Sequence, residues 1–298
     1  EHDFESKNGD VYPNKEWNKL SHKRKYVKQK GLYLDSLNDL PKESELEFWC
    51  EWEPNSIVTK TLETNVCQTK VELNNTGFPK FLHDELFYIE LDKRLWRQNT
   101  DPCVFGETFK FFLCQQTRKK SKKNPERIQT QLAKLEKGSI ILFGSYKQNS
   151  KTKERLFILD TVFVVNDWVE FNSKEDFEKI IDTRICEGYQ DICIRFIDKQ
   201  PIARRLYFGA TYKNQVNGMY SFVPCKESGD DFGFERPVIE LQDRVNPNRN
   251  RGFKPSEIKS IDEAKCLWEN ITRQVFNQNL KIGWGFNMPK KRKLNIDI

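Results

Sequence analysis

The stretch from Leu132 to Val165, LAKLEKGSIILFGSYKQNSKTKERLFILDTVFVV, carries the clearest architectural signal in the chain. Ile128, Leu132 and Leu135 recur at helical spacing, Lys137-Gly138 breaks the pattern, and Ser139 to Tyr146 reads as a buried strand. Polar residues 147–155 form a turn. Leu156 to Val165 is a second strand, apolar on both alternating faces, which places it mid-sheet with cover on each side. Asp160 interrupts it. A carboxylate between Leu159 and Thr161 must be paired or must face a ligand, because unpaired burial is costly and raises its pKa. Arg204 or Arg205 is the structural partner expected, and a pocket contact to a base or sugar is the functional reading.

Outward from that hairpin the signals are short. Residues 1–45 are polar, with a basic cluster from His22 to Lys30 (HKRKYVKQK), and read as an irregular or partly helical leading segment. Between Glu47 and Lys60, strand-forming residues flank Pro54-Asn55, the signature of a hairpin turn. Cys103 to Gln116 has an apolar half whose periodicity fits a strand or a helix. Residues 118–125 (RKKSKKNP) have no apolar face and read as a solvated loop. Phe177 to Ile181 suggests a short helix and Ile192 to Ile197 a strand. Arg205 to Tyr212 and Met219 to Cys225 suggest a long hairpin, and Pro237 to Leu241 a further strand. Ser260-Ile261-Asp262-Glu263 is a capping box, after which Ala264, Leu267, Trp268, Ile271 and Val275 recur at helical spacing. Many short strands without regular β-α alternation give an α+β fold around a mixed curved sheet or barrel, with few peripheral helices and a C-terminal helix. The chain divides into the leading segment 1–45, one core domain 46–285 with insertions, and a basic tail 286–298.

Composition excludes a chain disordered throughout: of 298 residues 37% are hydrophobic, with 22 Phe, 9 Tyr and 7 Trp. Fifty basic against 44 acidic side chains give a net charge of +6. No apolar run reaches the roughly 18–20 residues of a membrane helix. The eight cysteines include several inside apolar runs, which favours reduced thiols and a cytoplasmic location. Three histidines without ligand spacing give no zinc site, and no metal or cofactor is expected.

The segment 132–165 resembles the central hairpin of PUA-like domains, the group containing ASCH, EVE and YTH modules, with Gly138-Ser139 where those families commonly have Gly-Asp. The segments NTDPCVFGETF (99–109) and YFGATYKNQVNGMYSFVPC (207–225) resemble uncharacterised bacterial proteins found near nucleic-acid modification or defence genes. The PUA-like resemblance implies a small closed β barrel that binds RNA or DNA and in some members holds an extruded modified base in an aromatic pocket.

The residues themselves agree with nucleic acid as partner. Lys119, Lys120, Lys122 and Lys123 are candidates for phosphate contact, against the bland reading of a solvated loop. In a strand, Trp49, Glu51 and Glu53 share one face and Phe48, Cys50 and Trp52 the other. Trp49 or Trp52 would stack a base while a carboxylate accepts from its amine, with Tyr146 and Asp160 completing the pocket. The bland alternative puts Trp52 in the core and the glutamates in water. The competing class is an enzyme acting on nucleotides or nucleic acid, with Glu51, Glu53, Asp101, Glu107 and Cys103 as candidate groups for glycosidic-bond or base chemistry. No complete catalytic motif supports it.

Overall fold

In a computed structural model of the chain, the structure describes residues 16–17, 24–52, 56–62, 78–79, 81–88, 100–112, 114–121, 123–124, 126–148, 155–172, 184–185, 189, 202–229, 233–241 and 258–292. The strands in chain order begin with β1 (Glu16–Trp17), β2 (Arg24–Leu34), β3 (Lys42–Glu51), β4 (Ser56–Thr61), β5 (Phe81–Tyr88) and β6 (Lys110–Phe111). They continue with β7 (Thr117–Lys119), β8 (Arg127–Gln129), β9 (Ile140–Gln148), β10 (Arg155–Phe171) and β11 (Arg204–Gly209). The last are β12 (Val223–Glu227), β13 (Val238–Ile239), β14 (Lys281–Trp284) and β15 (Lys290–Arg292), and helix α1 (Ile261–Asn277) precedes β14. The fold is α+β, dominated by mixed sheet.

The larger sheet has eight strands in the order β1-β4-β5-β2-β14-β12-β3, with β15 parallel to β5. β2 also pairs with β3, from Arg24 opposite Glu51 to Tyr33 opposite Lys42, so β2, β3, β12 and β14 pair in a cycle. Phe48 and Phe286 pack against each other at this cycle, their rings tilted by 31° with centroids 4.0 Å apart. Two glycines allow the close approach: a Cβ on Gly31 would lie 2.7 Å from the Phe286 ring, and one on Gly283 2.7 Å from the Cys225 sulfur.

The second sheet runs β13-β10-β11-β6, with β9 on β10. β10 is central and buried over most of its length, as its two-faced apolar pattern requires. It bends at two register shifts, one between Leu159 and Thr161 and one between Val165 and Asp167. The sheets meet where Val162 and Phe222 exchange backbone hydrogen bonds of 2.9 Å. Helix α1 starts at the capping box, in which the Glu263 amide donates to Ser260 Oγ and Glu263 accepts from the Ser260 amide. Its buried stripe includes Ala264, Leu267, Trp268, Ile271 and Val275, as the spacing indicates. On its other flank Gln274 and Gln278 pair with β13: each side-chain amide donates to and accepts from one backbone unit, Glu240 and Val238 respectively.

Several local readings are overturned. The basic cluster 24–30 lies in a long strand, because alternate residues of β2 face the core; Arg24 and Lys25 are themselves buried. Strands β3 and β4 flank Pro54-Asn55 without pairing to each other, since β4 pairs with β5 and β1. Residues 127–133 form β8 and a short 3-10 turn (Gln131–Ala133), because the Thr130 N–H donates to the Gln116 carbonyl and the Gln129 side-chain amide to the Ala203 carbonyl, tying this stretch to its neighbours. β11 and β12 belong to different sheets, so 205–225 is no long hairpin. The basic tail contributes β15. The helix suggested at 177–181 and the strand at 192–197 lie outside the described residues.

Candidate functional site

Asp160 is the extra residue of a bulge. Leu159 stands opposite Gly144 and Thr161 opposite Phe143, which leaves Asp160 without a partner position and turns its side chain toward the larger sheet. Gly144 is required there, since a Cβ would fall 2.2 Å from the Ile158 carbonyl. Asp160 is 4% exposed and is paired neither with Arg204 nor with Arg205. Instead it is ion-paired with Arg24 of β2 and with Arg236, whose Nη1 lies 2.7 Å from Oδ1. Arg24 also donates to the Gly144 carbonyl, and Arg236 to Ser145 Oγ. Arg205 serves the other end of β10, pairing with Glu170 at 2.9 Å over the Trp168 ring.

The face of β2 and β3 turned to this clamp carries Arg24, Tyr26, Glu47, Trp49 and Glu51. Trp49 is 2% exposed; it packs edge-on against Tyr26 and donates its indole N–H to the Phe234 carbonyl at 2.9 Å. Trp52, fully buried on the opposite side, packs edge-on against Phe105. Both ring systems are therefore core elements. Tyr26 donates to Glu47 at 2.9 Å, and Ser228 donates to the other Glu47 oxygen. Burial pushes the Glu51 carboxyl up to about 8; Arg24 opposes the shift, and Asp101 and Asp160 add to it. Glu47 and Glu51 thus do not face water. Tyr146 stands opposite Phe157 on β9, but its side chain, like Glu53, lies outside the described residues.

The remaining enzyme candidates are dispersed in role. Asp101 is buried and accepts from the backbone amides of Phe112 and Cys114 at 2.7 and 2.5 Å, a loop-fixing arrangement. Cys103 is fully buried beside the Phe105 carbonyl. Glu107 is exposed and pairs with Lys213. His83 has a neighbour the sequence did not disclose: its Nδ1 lies 3.1 Å from Ser56 Oγ. That pair is buried too, which shuts it off from a substrate in this conformation. The open groove between β13 and α1 is lined by Val238, Leu241, Asn270, Gln274 and Gln278, and its two glutamines are engaged with β13.

The lysines belong to a different kind of place. β7 and β8 form a two-stranded sheet of their own, with Lys119 opposite Arg127 and Arg118 opposite Ile128. Arg118, Lys119, Lys120 and Lys123 are exposed, and Lys122 lies outside the described residues. Around the tip, the Ser121 amide donates to the Asn124 carbonyl, the Asn124 amide to Ser121 Oγ, and the Glu126 amide to Asn124 Oδ1. The base is clamped by Gln116, fully buried, whose amide donates to the Phe112 and Arg205 carbonyls and accepts from the Arg205 N–H. Gln129 adds a bond to the Ala203 carbonyl. The role of Gln116 has no local sequence signal, because its partner Arg205 is distant along the chain.

In comparisons with protein-family models, with curated proteins and with solved structures, nothing matches this chain.

Proposed function

We propose that this chain binds nucleic acid, with hairpin β7–β8 as its phosphate-contacting element. One observation carries the reading: Arg118, Lys119, Lys120 and Lys123 are exposed together on a hairpin outside both main sheets, on a base held by a buried glutamine. Fixed cations lose less freedom on meeting phosphate than cations on a floppy loop, and each contact releases condensed counterions. Recognition of a modified or flipped base asks more of the molecule. Trp49 and Trp52 are sealed by Tyr26, Phe234 and Phe105, so a base reaches them only if the β2–β3 face opens. Fluorescence anisotropy with labelled DNA and RNA over a salt series tests the proposal. Salt-sensitive binding supports it, and no binding at low salt rejects it.

A second reading, an enzyme on nucleotides or nucleic acid, is favoured by Glu51 alone, a carboxyl that retains its proton near neutrality as a general acid must. It requires turnover that Glu51→Gln abolishes while the fold persists. Absence of turnover across a nucleotide and oligonucleotide screen counts against it.

A further inference from the structure

Resting on the nucleic-acid reading, we infer that hairpin β7–β8 enters the major groove of duplex DNA. A two-stranded ribbon fits a B-form major groove of about 12 Å, whereas the major groove of A-form RNA is too narrow for side chains to read. From Thr117 to the tip at Ser121 the chain advances roughly 13 Å at strand rise, more than the groove depth of about 8.5 Å. The ribbon therefore reaches the groove floor before its base meets the phosphate ridges.

Chemistry along the ribbon matches that placement. Residues 118–127 carry six basic side chains against one acid, Glu126, which Lys120 partly neutralises at 3.6 Å. Pleating puts Thr117, Lys119, Arg127 and Gln129 on one face and Arg118 and Ile128 on the other, where Arg118 folds back onto the Lys119 and Lys120 carbonyls, so each face of the ribbon carries positive charge. Arg127 lies across the ribbon, donating to Thr117 Oγ1 at 2.8 and 3.0 Å, which holds its guanidinium flat.

Single strands are a poorer match. Their recognition relies on bases stacking on open aromatic rings. Segment 114–131 contains no aromatic residue on which a base could stack. The half-buried Trp168, near the hairpin base, is covered by the Arg205 guanidinium 4.4 Å from its ring.

The experiment titrates the full chain into 20-base-pair duplex DNA, the same duplex as RNA, single-stranded DNA, and duplex DNA with bulky C5 substituents on its pyrimidines. Duplex DNA is expected to bind tightest, with bulky substituents weakening it at least tenfold. The variant K119A/K120A/K123A, altered only at exposed positions, is expected to lose on the order of a hundredfold at 0.1 M salt, with a slope shallower by roughly 2.7. Unchanged duplex affinity in that variant overturns the role of the hairpin while leaving nucleic-acid binding intact. Loss in the variant with equal affinity for all four probes overturns groove entry and leaves phosphate contact. No binding of any probe by the wild type overturns the underlying reading itself.

Discussion

Asp160 is buried between two arginines, Arg24 and Arg236, drawn from distant parts of the chain. Such a triad adds little over a well-packed apolar substitute, but removing one member strands the others. Asp160→Ala leaves two guanidiniums buried without their carboxylate, and is expected to lower stability by about 3–5 kcal/mol in urea denaturation. Glu51 carries a pH dependence of its own. Its folded pKa, near 8, stands above the ordinary carboxyl value of 4.5, so its favourable contribution is complete below about pH 4.5 and lost as pH rises through 8. Across that window stability falls by up to about 1.4 kcal/mol per pH unit from this group. Glu51→Gln removes the slope, so the wild-type minus variant difference in unfolding free energy should shrink between pH 5.5 and 7.5. A pH-independent difference would place Glu51 in water. The need to satisfy Asp160 was legible in the sequence, but its partners were not. Arg24 sits in a run that reads as an irregular or partly helical segment, and only the bulge, a tertiary feature, aims the carboxylate at it.

At the scale of elements, what was legible was what is local. Helix α1 carries its start signal and its apolar stripe within its own residues, and hairpin β9–β10 carries its strands within one stretch. Strands β12 and β14 do not, because they pair with strands far along the chain, β3 and β2, and β2 joins β14 as well as its neighbour β3. The lysine run lacks an apolar face, yet it forms a hairpin, because Gln116 and Gln129 fix its roots. Gln116→Ala removes the bonds that its side chain makes to the Phe112 and Arg205 carbonyls and to the Arg205 amide. A loss of about 1–3 kcal/mol is expected, together with faster amide exchange across residues 117–129. Ser260→Ala, by contrast, removes only one cap and should cost about 1 kcal/mol, read from the thermal midpoint.

For the whole molecule, the cycle β2–β3–β12–β14 joins residues near the beginning of the described chain to residues near its end. Folding must hold that closure until late segments arrive, which makes long-range pairing a slow step. Truncation after Asn277 deletes β14 and Phe286 and should abolish near-ultraviolet circular dichroism from the aromatic core. A native-like spectrum would show that the cycle is dispensable. The basic hairpin stands apart from this framework, so its lysines are free to change without disturbing the core.

The glutamines on α1 have a consequence for how copies of this chain meet one another. A bare strand margin recruits strands from neighbouring molecules, and natural sheets guard against it. Gln274 and Gln278 occupy the outward hydrogen-bonding positions of β13 as two rungs of a false strand, one helical turn apart. The sheet therefore ends in side chains that cannot propagate it. Replacing both with alanine should leave a monomer at low concentration that scatters light and binds thioflavin as it is concentrated, a liability these two amides hold in check.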